Sequence, residues 1–120
     1  MKILLDTNFL VYCAKQKIDY VSEMPAGEIV VLSSVVYELE KLAEKAKKAR
    51  DKEAAKFALF LLKRNKIKVI ETEGKNADEA ITEMADKQDI VATLDRGLKE
   101  KLKSKARILT IRQGKKLEIL

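Results

Sequence analysis

The sequence predicts an α/β fold, because short unbroken apolar runs alternate with segments whose apolar residues recur at helical spacing, and because several runs stop on or just before a carboxylate. Runs without polar alternation suit strands covered on both faces. Strands separated by helix-length segments suit successive crossovers and a mostly parallel sheet. Composition agrees: 47% hydrophobic and 37% charged residues, with one proline and four glycines, describe an ordered chain with few breaks. At 120 residues, a single domain over residues 1–120 is long enough to bury a core without metal or disulfide staples.

The first strand is Ile3-Leu4-Leu5, which ends on Asp6. Residues 8–15 follow as a short helix through Phe9, Leu10, Val11 and Cys13, and residues 19–24 form another helical turn. Pro25-Ala26-Gly27 turns the chain into the second strand, residues 29–32. Ser33 and Ser34 are candidate N-caps for a helix over residues 35–49, drawn by the stripe Val35, Val36, Leu39, Leu42, Ala43 and Ala46. Arg50-Asp51-Lys52 marks a break before a helix over residues 54–63, and residues 67–70 are the third strand. Asn76 and Glu79 have capping-box spacing and open a helix carrying Ala80, Ile81, Met84 and Ala85. Residues 90–93 form the fourth strand, Leu94-Asp95-Arg96 leads into a basic helix through Lys103, and residues 108–111 form the fifth strand. A turn over residues 112–116 precedes a final short strand at residues 117–120.

No histidine occurs, which excludes a Ser-His-Asp triad, a Cys-His pair and the common histidine-containing zinc sites. Cys13 is the only cysteine and sits in an apolar series, so it reads as a core thiol and no internal disulfide forms. No stretch approaches the ~20 apolar residues that cross a bilayer, and a soluble, cytoplasmic protein is expected. Twenty-five basic against nineteen acidic residues give a net charge of +6, which favours a polyanionic partner. The run of Lys41, Lys45 and Lys48, with Arg96, supplies candidate nucleic-acid contacts, although a solvated helix face is the simpler reading of such a run.

Four acids fall at comparable points: Asp6, Glu38, Asp78 and Asp95 each lie shortly after a strand, near the start of a helix. In a parallel sheet those points share one edge, the edge where α/β proteins bind ligands. Each acid also has a bland reading as an N-cap or a first-turn acid favoured by the helix dipole. Convergence of all four would call for a compensating cation. Oxygen-only donors suit Mg2+ or Mn2+, and such ions activate water and offset charge on a phosphodiester. Asn8 and Thr93, two residues from Asp6 and Asp95, are placed to support that cluster. Asp86, Asp89 and Glu40 fit the edge less well and stay outside the site.

The segments Leu-Leu-Asp6-Thr-Asn8, Ser-Ser-Val-Val-Tyr-Glu38-Leu, Asn-Ala-Asp78-Glu-Ala-Ile and Val-Ala-Thr93-Leu-Asp95-Arg-Gly-Leu, in that order over nearly the whole chain, resemble the PIN-domain family. The ending Ile-Leu-Thr-Ile-Arg-Gln-Gly-Lys-Lys-Leu looks more like the small archaeal and ribosome-processing branch than the toxin branch. The resemblance implies a Rossmann-like three-layer α/β/α sandwich around a central, mostly parallel sheet of about five strands. It also implies metal-dependent cleavage of single-stranded or looped RNA. By the same resemblance, Asp6, Glu38, Asp78 and Asp95 are the metal-binding acids with Thr93 and Asn8 in support. Many members carry a further acid where this chain has Gly97, so a binding or assembly module with weak catalysis is the alternative. A toxin nuclease with a protein antitoxin, a ribosome-assembly partner and a homodimer complete the expected partners.

Overall fold

The computed structural model describes residues 1–120. The order is β1 (Lys2–Leu5), α1 (Thr7–Gln16), α2 (Tyr20–Glu23), β2 (Glu28–Leu32), α3 (Ser33–Lys45), α4 (Ala49–Arg64), β3 (Lys68–Ile70), α5 (Ala77–Met84), β4 (Ile90–Ala92), α6 (Arg96–Leu102), β5 (Arg107–Arg112) and β6 (Lys116–Ile119). Six strands make one sheet in the order β3-β2-β1-β4-β5-β6. All neighbours are parallel except β5 and β6, which form an antiparallel hairpin. The sheet has one strand more than the roughly five that the family resemblance implies, and the short final strand read from the sequence at residues 117–120 supplies it.

The strand runs lack alternation because both faces are covered. Ile3, Leu4 and Leu5 of β1 and Ile90, Val91 and Ala92 of β4 are all buried, and they join Val30, Val31 and Leu32 of β2 in one core. Strand β1 lies between β2 and β4, so the chain winds outward in both directions from it and leaves a crevice at its carboxyl end. Leu5 pairs with Ala92, and the Asp6 amide donates to the Ala92 carbonyl at 2.9 Å. That register sets Asp6 beside Thr93.

Two expectations are corrected. Ser33 and Ser34 do not cap α3 but begin it, after Leu32, which offers no capping side chain. The Ser33 hydroxyl instead accepts from the Thr72 amide at 2.8 Å, tying α3 to the segment after β3. The break between the paired helices falls at residues 46–48, where Ala46 and Lys48 are extended, and not at Arg50-Asp51-Lys52. Those three residues open α4, where Asp51 occupies the first turn and meets Lys15 at 2.6 Å.

Cys13 is buried, and loss of solvent pushes its thiol up to about 12. Asp89 lies at the opposite end of the sheet from Asp6, as its place before β4 requires. It accepts from the Lys2 amide at 2.9 Å and pairs with the Lys2 ammonium at 3.2 Å, which fastens β1 to β4. No helix is long and apolar enough to cross a membrane.

Candidate acidic site

Asp6 caps α1. One carboxylate oxygen accepts from the Thr7 amide at 2.9 Å and the other from the Thr93 hydroxyl at 2.7 Å. The side chain is almost wholly buried, and burial is the main reason its pKa is raised. The Thr93 and Thr7 hydrogen bonds oppose that rise, while the negative charges of Glu38 and Asp95 add to it. Thr93 is central to this corner because its hydroxyl also accepts from the Asp95 amide at 3.1 Å. Asn8 is fixed by the Leu94 amide, which donates to its Oδ1 at 3.1 Å. Thr93 and Asn8 thus lock the turn after β4 onto the start of α1.

The remaining acids arrive on three helices. Glu38 accepts from the Thr7 hydroxyl at 2.6 Å. It stands in the second turn of α3, whose first turn holds no acid, so the helix dipole does not account for it. Asp95 caps α6 through the Gly97 amide at 2.9 Å and is exposed. Asp78 is a first-turn acid of α5, as the structural reading allows, and its Oδ2 pairs with Lys101 at 2.5 Å across to α6. Its other oxygen is buried without a hydrogen-bond partner.

All four acids, with Thr7 and Asn8, line one cleft of about 390 Å3, whose wall is completed by Val11, Leu42 and Ala77. A larger pocket of about 530 Å3 lies among α3, α4 and β3, but it is mainly apolar and includes none of these acids. The small polar cleft is where the chemistry concentrates. No three acidic side chains stand close enough to form a ready-made cation cage. Each acid is instead held by a local partner, and the unpartnered Asp78 oxygen and the raised Asp6 carboxyl both favour an added positive charge. The donor set, all oxygen, fits a hard divalent ion.

Lys41, Lys45, Lys48 and Arg96 are exposed, and none has a carboxylate within ion-pair distance. The Lys41 ammonium lies 5.3 Å from the centroid of the Tyr37 ring. None of the four cations lines the acidic cleft. Sequence reasoning missed Thr7 and Lys101. Thr7 was signalled only by its place between Asp6 and Asn8, and Lys101 by nothing local, since it meets Asp78 through the packing of α6 against α5.

A family model described as a PIN-like domain matches residues 3–114. The chain is similar to Ribonuclease VapC4 of Methanocaldococcus jannaschii, with 39% identity over 98% of this chain and 95% of that protein. It is also similar to Ribonuclease VapC9 of Archaeoglobus fulgidus, with 37% identity over 85% of this chain and 76% of that protein.

Proposed function

Because this chain belongs to the PIN-like domain family, we propose that it is an endoribonuclease that hydrolyses single-stranded or looped RNA at the Asp6 cleft. The observation that carries this reading is the meeting of Asp6, Glu38, Asp78 and Asp95 in one polar cleft although they are far apart in sequence. The names of the two archaeal relatives support the reaction class.

In this reading the four acids hold Mg2+ or Mn2+. Such an ion, when bound, makes water a stronger nucleophile and neutralises charge on the phosphodiester. The chain's own residues do the positioning. Thr93 holds one Asp6 oxygen while its backbone-linked partner Asp95 stays in register, and Asn8 keeps the turn at Leu94 closed. Thr7 fixes the Glu38 carboxylate against α1. Lys41, Lys45, Lys48 and Arg96 attract the RNA backbone, a role their lack of carboxylate partners suits. Association with a protein antitoxin or a ribosome-assembly factor, and pairing into a homodimer, belong to the same proposal.

The test is cleavage of end-labelled single-stranded RNAs in Mg2+, Mn2+ or EDTA by wild type, Asp6→Asn and Asp95→Asn. Metal-dependent cutting by wild type that falls at least about a hundredfold in each folded variant is expected. A second reading, an RNA-binding module with weak catalysis, is favoured by the lack of a ready-made cage. Salt-sensitive RNA binding by wild type without cutting in any metal would select it.

A further inference from the structure

Two cavities lie side by side on the sheet edge that carries the acids. One is the acidic cleft. The other is a hollow of about 390 Å3 lined by Ser33, Ser34, Tyr37, Thr72, Gly74 and Lys75. The two share their walls. Helix α3 gives Ser33, Ser34 and Tyr37 to the hollow and Glu38 and Leu42 to the cleft. The chain from β3 into α5 gives Thr72, Gly74 and Lys75 to the hollow, then Ala77 and Asp78 to the cleft. A strand laid along this edge with a phosphodiester at the acids therefore carries a neighbouring nucleotide over the hollow.

What the hollow presents is a ring and not a charge. Tyr37 is 61% exposed, the most of any large hydrophobic side chain here, so packing in the core does not account for it. The one cation in the lining, Lys75, is already paired with Glu83. The rim is held by its own hydroxyls: Ser33 accepts from the Thr72 amide at 2.8 Å, and the Thr72 hydroxyl donates to Ser34 at 3.3 Å. Beside the ring, the Lys41 ammonium stands 5.3 Å from its centroid with no carboxylate partner, in reach of a phosphate attached to a base on the ring. We propose that Tyr37 is a stacking surface for the base of a nucleotide next to the cleaved phosphodiester, an inference that rests on the ribonuclease reading of the cleft given above. Stacking uses the π face that every base has, so this subsite positions the strand without selecting a sequence.

The test is titration of the full chain into a short oligouridylate carrying one central 2-aminopurine, a base whose fluorescence falls when it stacks. EDTA keeps the strand uncut, and low salt lets the basic surface hold it. Wild type quenches the label on binding, and Tyr37→Phe, which keeps the ring, quenches it equally. Tyr37→Leu and Tyr37→Ala bind about tenfold more weakly and leave the label bright at saturation. Because Tyr37 is exposed, these variants keep the fold, which circular dichroism checks. Binding by wild type without quenching, or equal quenching and affinity in all four proteins, overturns the proposal and leaves the ribonuclease reading standing. Absence of binding by every protein at low salt overturns both together.

Discussion

Asp6 illustrates how a single side chain can be placed against its own stability. Burial raises its carboxyl, with help from Glu38 and Asp95, so the folded chain retains a proton that the unfolded chain has released. Stability therefore falls as pH rises from the unfolded carboxylate value through the raised folded one, and the full cost is present above the latter. Asp6→Asn removes that cost while keeping an acceptor for the Thr7 amide. Without metal at pH 7, it should melt higher than wild type, with the gain shrinking toward acid pH. Thermal denaturation in EDTA across pH checks this, and a variant that melts lower at pH 7 would contradict the account. Asp89 behaves in the opposite sense. Burial works to raise it, but the Lys2 amide and ammonium and the Asp86 amide prevail and hold it below the ordinary value. Its contribution is complete above the unfolded carboxylate value and is lost as pH falls through the lowered folded one.

The paired helices α3 and α4 show why apolar residues at helical spacing are not all core. Leu39 in α3 is fully buried, whereas Phe57 and Phe60 in α4 are 41% and 53% exposed and lie parallel, 13° apart with centroids at 6.3 Å. The buried face of α4 is made instead by Leu62 and by Ala54, Ala55 and Ala58, three small residues that let it lie close to α1 and α3. Leu39→Ala should cost about 3 kcal/mol, and Phe60→Ser less than about 0.5 kcal/mol. Urea denaturation separates the two, and a comparable loss at Phe60 would mean that α4 faces the other way. The sequence located this helix over residues 54–63 but not its buried side, because the alanines that pack are quieter than the phenylalanines that do not. Ser33 is a similar case: a hydroxyl at a helix start reads as a cap, and only the neighbouring Thr72 segment shows that it is a tertiary strut.

At the scale of the molecule, the alternation of runs and stripes specified a parallel sheet, and that sheet placed Asp6, Glu38, Asp78 and Asp95 along one cleft. This much was legible because a parallel strand fixes where the next segment begins. The pairings Thr7–Glu38 and Asp78–Lys101 were not legible, since they depend on how α3 leans on α1 and α6 on α5, angles that no local spacing records. The sixth strand was read in the sequence as a short strand after a turn, and its antiparallel pairing with β5 follows from that turn at Gln113 and Gly114, both with positive φ. The single thiol, shut inside α1 and held protonated, has a practical consequence. It cannot meet a disulfide reagent while the sheet is closed, so labelling of Cys13 becomes a clock for global opening. In native buffer the modification rate should match the unfolding rate and gain strongly with urea. Stoichiometric labelling within the mixing time would show that α1 swings away from the sheet by itself.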